Sequence, residues 1–186
     1  MLRLECDGVR RQLVGDGLNL GLQDFSMVRG GFSGSTFLLA SGPSAADFPL
    51  RRYAQYPIIA MNGSIVRCRE EGIRPFFYLC DDPNFVVGRP ELALQGLLTA
   101  EHAAMSLDVL QAIHELDKAA LQDKKIYLLE RVNRFQGRRV LSDRAYAWSI
   151  RNEPELISNY SLIRSKPNRI GFSLNLSKGY FGSRTV

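Results

Sequence analysis

Cysteine is scarce and poorly placed for chemistry. Cys6, Cys68 and Cys80 are odd in number and share no C-x-x-C spacing. That excludes a disulfide framework and a zinc site, and it reads as reduced, mostly buried thiols. Histidine is scarcer still, with only His102 and His114, and no Ser-His-Asp or Cys-His set is recognisable. There is no G-x-x-x-x-G-K-[ST] and no G-x-G-x-x-G, so neither a P-loop kinase nor an ordinary NAD fold is signalled. No run approaches the roughly 20 apolar residues that span a bilayer. Met1-Leu2-Arg3-Leu4-Glu5-Cys6-Asp7 lacks the apolar segment of a signal peptide, and a cytoplasmic location is expected. Repeats and low-complexity segments are also missing.

What is present is the make-up of one globular domain with a sizeable core: 186 residues, 45% hydrophobic and 23% charged. The net charge of +5 is unevenly placed. Residues 1–130 hold 13 Lys+Arg against 16 Asp+Glu, a net of −3, whereas residues 131–186 hold 11 against 3, a net of +8. A basic C-terminal third fits either a polyanionic partner or a merely solvated face.

The stretch from Thr36 to Ser64 organises the chain. Thr36–Ala40 is a short apolar run without charge, expected to be a strand buried on both faces. It ends at Ser41-Gly42-Pro43-Ser44, where Gly42 permits a tight turn, Pro43 pre-sets φ and Ser44 is placed to cap a helix over Ala45–Tyr53. Pro57–Met61 is a second buried strand, ending at Asn62-Gly63-Ser64. Two strand ends thus carry small polar turns one helix apart. Ligands of open α/β sheets bind at such ends, where free N–H groups are offered.

Upstream, residues 1–34 are glycine-rich. Leu2-Arg3-Leu4 and Arg11-Gln12-Leu13-Val14 predict a β-hairpin around Gly15-Asp16-Gly17, an extension packed on the sheet edge. Downstream, the pattern predicts a helix over Ser64–Glu71 stopped by Gly72, a third strand over Pro75–Cys80 and a helix from Pro90 with Leu92, Leu97 and Leu98 as its stripe. A helix over Ser106–Leu116 capped by Ser106 and a fourth core strand over Lys125–Leu129 follow, and both histidines fall in predicted helices. Residues 131–169 are Arg-rich with scattered aromatics and read as a loop-rich insertion or lid. Ile170–Leu174 reads as a short strand, and Ser177–Val186 as a loop entering a helix.

Each candidate site residue has a plain and a chemical reading. The Gly42-Pro43-Ser44 turn supplies backbone N–H groups, a small side chain and a hydroxyl, as a phosphate requires, and it is equally an ordinary strand-to-helix turn. Asn62 can bond a ribose or base edge, with Gly63 and Ser64 joining through their N–H groups, or it can simply form an Asn-Gly turn. Asp81 and Asp82 are the one close acidic pair at a predicted strand end. They suit general-base work, or turn formation and capping before Pro83. Without a His partner the pair is a poor metal site, and no metal is expected. Gly182, Ser183 and Thr185 form a second small hydroxyl-bearing turn, with Lys178 and Arg184 nearby to favour an anion, or an ordinary basic tail.

Ser41-Gly42-Pro43-Ser44 after an apolar strand, Met61-Asn62-Gly63, Asp81-Asp82-Pro83 and the final Gly182-Ser183-Arg184-Thr185, in this order, resemble the bacterial CMP-sugar-dependent sialyltransferases. They are closer still to the lipopolysaccharide-core enzymes that add a third Kdo (3-deoxy-manno-octulosonate) from CMP-Kdo. The resemblance spans roughly residues 36–186. It implies a Rossmann-like α/β fold of the glycosyltransferase A type, with a mostly parallel sheet flanked by helices. It further implies transfer of a 2-keto sugar acid, Kdo or sialic acid, from its CMP donor to the anionic lipopolysaccharide inner core, with no cofactor or metal, no nucleic acid, peripheral contact with the inner membrane and a possible homo-oligomer. By resemblance Asn62 contacts the CMP moiety, and Gly182, Ser183 and Thr185 face the donor carboxylate and phosphate. Asp82 departs from the pattern, since the sialyltransferases carry an amide there; it is the one candidate catalytic group within the chain. The sialyltransferase histidine base would lie beyond Val186, so this reading expects a C-terminally truncated and inactive chain.

The expected organisation is therefore an N-terminal extension over 1–35 and a nucleotide-sugar-binding α/β domain over 36–186. Two other readings stay open: a pterin-type diphosphokinase using ATP and magnesium, which shares a similar G-P-S turn, and a non-enzymatic module binding nucleic acid through residues 131–169.

Overall fold

A computed structural model describes residues 1–7, 10–130, 142, 144, 145, 148, 151, 156–158 and 172–174; for the last two stretches it describes the backbone. The chain divides into two compact units, Met1–Leu129 and Glu130–Val186, and the division falls at the start of the Arg-rich stretch.

The first unit begins with an antiparallel meander, β1 (Arg3–Asp7), β2 (Arg10–Gly15) and β3 (Leu18–Gly21). Its β2–β3 turn, Asp16-Gly17, is the one the sequence predicts, and both residues have positive φ. The registers Leu4↔Leu13 and Leu13↔Leu20 put apolar side chains on one face, and Leu2, Leu13 and Leu18 enter the main core.

The second layer is a five-stranded parallel sheet: β4 (Phe37–Leu39), β5 (Ile58–Met61), β6 (Phe77–Cys80), β7 (His102–Met105) and β8 (Ile126–Leu128), in spatial order β4-β5-β6-β7-β8. Every crossover advances one strand in the same direction. Right-handed crossovers of this kind deliver their helices to a single face. α1 (Ile65–Glu70), α2 (Pro83–Gly88), α3 (Pro90–Thr99) and α4 (Leu107–Leu116) supply that cover. Ile65, Cys68, Val86, Ala93, Leu97, Val109, Leu110 and Ile113 form one core with Leu39, Ile58, Ala60, Tyr78, Cys80, Ala103, Met105, Ile126 and Leu128 of the strands. The alternate strand residues, Leu38, Ile59, Phe77, Leu79, Ala104 and Tyr127, point to the opposite face, where Phe77, Ala104 and Tyr127 make a smaller cluster with Val28 and Phe76.

Several expected elements change. The helix over Ala45–Tyr53 is two short 3₁₀ turns, Pro43–Ala45 and Leu50–Tyr53. Pro49 lies between them and has no N–H to continue a helix, while Phe48 and Tyr53 turn back onto Phe37 as an aromatic cluster. The first core strand is not buried on both faces, because Leu38 lies on the face the helices leave open and is exposed. A strand over His102–Met105 takes the place of the predicted helical surroundings of His102, so Ile126–Leu128 is the fifth core strand, not the fourth. In α3 the buried positions are Ala93, Gly96 and Leu97, with Leu98 exposed. Gly72, at φ 66°, ends α1 as expected.

In the second unit, β9 (Leu156–Ser158) and β10 (Phe172–Leu174) pair in parallel, and the latter falls within the strand expected over Ile170–Leu174. The Arg151 guanidinium lies 4.3 Å from the Trp148 ring centroid.

Candidate functional site at the strand ends

The parallel sheet brings the polar turns after β4, β5 and β6 to its carboxyl edge. An unreversed strand order has no switch-point crevice, so a ligand there must be held by the turns themselves. Gly63 shows how close they lie. A Cβ built on it would sit 3.7 Å from the Ser41 Cβ and 3.8 Å from the Phe85 ring. The turn after β4, the turn after β5 and the first turn of α2 therefore meet at one point.

After β4, Gly42 precedes the 3₁₀ turn Pro43–Ala45, and the Ala45 N–H donates to its carbonyl at 3.0 Å. The N-cap position is thus held by Gly42; Ser44 lies inside the turn and is exposed, not the cap the sequence suggested. At Gly42 φ is −71° and a Cβ would meet nothing within 4 Å. The protein's own packing places no demand for glycine there, which leaves space beside the turn for an incoming group.

After β5, Asn62 adopts φ 47°, a left-handed conformation that asparagine tolerates better than most residues. Its side-chain Oδ1 is buried and has no hydrogen-bond partner. A buried amide oxygen left unpaired costs roughly 1–3 kcal/mol. Two residues on, Ser64 is buried with its hydroxyl fully engaged: it donates to the Leu39 carbonyl at 2.7 Å and accepts the Met61 N–H at 2.8 Å. The Ser64 side chain therefore ties β4 to β5, and a ligand could use only its backbone.

After β6, Asp82 is the N-cap of α2, its Oδ1 accepting the Asn84 N–H at 3.0 Å, with Pro83 in the first turn. This is the capping role that its place before Pro83 allowed. Among the described residues no group of three His, Cys, Asp or Glu lies close enough to hold a metal ion. The neighbouring Cys80 thiol is pushed up to about 11, chiefly by burial, as is Cys68, so neither is a ready nucleophile.

The missed strand β7 adds a residue to this edge. Ser106, which sequence pattern placed only as the cap of α4, follows Met105 directly, and its N–H donates to the Cys80 carbonyl at 3.3 Å. It holds the N-cap position without a side-chain cap bond, and its Oγ is buried without a partner. Reading His102–Met105 as a strand was the signal that would have marked it.

The histidines lie elsewhere. His102 opens β7 at the amino edge, packed among Phe76, Phe77 and Tyr127, and burial lowers its pKa more than Glu101 raises it. His114, on α4, faces the hairpin, its Nε2 3.6 Å from the Asp16 carboxylate. Lys178, Gly182, Ser183, Arg184 and Thr185 lie outside the described residues, so of the expected site residues the structure places Gly42, Pro43, Ser44, Asn62, Gly63, Ser64 and Asp82 at this sheet edge.

A family model described as 3-deoxy-D-manno-octulosonic acid transferase WaaZ matches residues 25–186. No curated protein and no solved structure matches. With all but the first 24 residues inside that match, the chain belongs to the WaaZ family of 3-deoxy-D-manno-octulosonic acid (Kdo) transferases, and is a glycosyltransferase.

Proposed function

We propose that this chain binds CMP-Kdo at the carboxyl ends of β4, β5 and β6 and transfers the Kdo to the inner core of lipopolysaccharide. The carrying observation is Asn62, whose buried Oδ1 is unpartnered beside an open glycine turn. A cytidine carries an exocyclic amine and ribose hydroxyls, the donors such an oxygen lacks. The Gly42-Pro43-Ser44 turn would meet the phosphate, with the exposed Ser44 hydroxyl as a donor and no Cβ at Gly42 to hold it off.

In the reaction the bond between C2 of the sugar acid and the phosphate oxygen breaks, CMP leaves with the electron pair, and an acceptor hydroxyl attacks the oxocarbenium-like centre, its proton passing to the departing phosphate or to solvent. Charge grows on the leaving phosphate, so donors fixed before the reaction stabilise the transition state more than the ground state. The basic residues of the C-terminal third suit a phosphorylated, carboxylate-rich acceptor.

Calorimetry on the whole chain tests the binding step. CMP should bind, whereas ATP with magnesium and a single-stranded oligonucleotide should not. Asn62→Gly is the informative variant. Glycine accepts φ 47° without strain, so the melting temperature should hold, while the loss of one hydrogen bond should weaken CMP by about 3–10-fold. Ser44→Ala should act similarly. Unchanged CMP affinity in Asn62→Gly, or binding of the oligonucleotide alone with a steep salt dependence, overturns the reading.

A further inference from the structure

Two side-chain oxygens at the carboxyl edge of the sheet are buried without a partner, Asn62 Oδ1 and Ser106 Oγ. Ser64, at the same edge, has its hydroxyl bonded twice within the protein. A buried oxygen left unpaired is costly and rare in folded chains, so each one asks for a reason. Capping is not the reason for Ser106. It holds the N-cap position of α4 with φ −72° and ψ 160°, the extended backbone of a capping residue, and its side chain makes no cap bond. The first-turn N–H groups of α4 find no carbonyl within the helix, and the hydroxyl that would ordinarily take one does not.

The strand registers set the spacing. Asn62 follows Met61, which pairs with Leu79, and Ser106 follows Met105, which pairs with Cys80. Only β6 lies between them, so the two residues stand two strand spacings apart, about 10 Å. The turn at Gly42 lies one strand to the other side of Asn62. Gly42, Asn62 and Ser106 therefore form one row across about 14 Å. A nucleoside monophosphate carries its parts in line: phosphate, ribose, base. Less a hydrogen bond of about 3 Å at either end, the row has the length of such a molecule. The acids fix its direction. Asp81 and Asp82 end β6, and Asp108 lies in the first turn of α4, so the anionic phosphate is disfavoured at the Ser106 end and belongs at the Gly42 turn. Asn62 Oδ1 then takes a ribose hydroxyl, and the base arrives at Ser106. One hydroxyl and backbone donors wait there. Cytosine presents N3 and O2 as neighbouring acceptors, whereas uracil sets an N3–H donor between its two carbonyls, facing those donors.

We propose that Ser106 Oγ, with the first-turn N–H groups of α4, binds the cytosine of the donor nucleotide and sets its preference over uracil. The inference rests on the transferase reading and deepens it, because it gives the base a contact of its own.

Calorimetry on the whole chain with CMP, UMP and ribose 5-phosphate tests it. The parent chain should bind CMP more tightly than UMP. Ser106→Gly removes the hydroxyl and leaves a residue that N-cap positions accept, so the melting temperature should hold. Its CMP affinity should fall about 3–10-fold, the scale of one hydrogen bond. Its margin between CMP and UMP should narrow, and its affinity for ribose 5-phosphate should stay. Asn62→Gly, at the ribose, should weaken CMP and ribose 5-phosphate alike. Unchanged CMP affinity in Ser106→Gly, or equal CMP and UMP affinity in the parent chain, overturns the base contact and leaves the donor site in place. Ribose 5-phosphate weakened as much as CMP by Ser106→Gly would put the phosphate at α4 and overturn it too, as would an Asn62→Gly that spares ribose 5-phosphate. No CMP binding by the parent chain sinks the donor site, and the base contact with it.

Discussion

Asn62 and Ser64 stand two positions apart in one turn and do opposite things. Ser64 closes two bonds within the protein, to Leu39 and Met61, and Asn62 leaves a buried oxygen open. Both are small polar residues at a strand end, and that much is legible in the sequence. The division of labour is not, because it depends on the left-handed φ of Asn62, which turns successive side chains out of the strand's alternation. Ser64→Ala should therefore destabilise the protein without touching nucleotide affinity directly. It removes the two bonds by which the hydroxyl ties the turn to the β4–β5 pair, each worth about 0.5–1.5 kcal/mol. Urea unfolding reads the loss; a midpoint within error of the parent would mean that water replaces the hydroxyl. Asp82 repeats the lesson from the other side. Its spacing before Pro83 fitted both an acid and a cap, and the Asn84 N–H at 3.0 Å engages the carboxylate as a cap.

Among the elements, those with a strong local signal came through: the hairpin turn at Asp16-Gly17, the Gly72 stop, Pro90 at the start of α3 and the apolar stripe of α4. β7 did not, because His102-Ala103-Ala104-Met105 is built of residues that favour helices. Its place in the sheet is set by tertiary fit. Small alanines suit a strand buried on both faces between two neighbours. The same packing logic governs α3 against β6. The ring of Tyr78 lies flat against Gly96, where a Cβ would overlap it. Gly96→Ala should thus cost about 1–3 kcal/mol or more, through overpacking against a ring with no room to move, although alanine favours a helix by nearly 1 kcal/mol. Thermal melting checks the sign, and a stabilised variant would show that the ring can shift. The Tyr78 hydroxyl is buried beside the Cys80 thiol, and burial keeps it protonated.

For the whole molecule, the open question is whether the N-terminal meander is an appendage or part of the folding unit. The family match begins at Phe25, after the meander ends at Gly21. Visible ties join it to α4 and to the turn that follows: the Leu2 N–H donates to Gln111 at 2.6 Å, and Asp16 pairs with Lys118 at 2.9 Å. The Asp16 carboxylate is held below its usual range by Lys118, yet it is solvent-exposed, and such pairs contribute little. The apolar tie is of another order. Leu13 is fully buried in the same core as Ile113 and Leu121, and a Leu→Ala change at such a site costs about 2–5 kcal/mol. Lys118→Ala should therefore leave the melt almost unmoved, and Leu13→Ala should lower it steeply. Amide exchange decides between appendage and shared core. If the meander were separate, Leu13→Ala would speed exchange in β1–β3 alone. If its leucines help hold the sheet, the slowest amides of β6 and β7 should accelerate together with them, by the factor that the stability loss dictates.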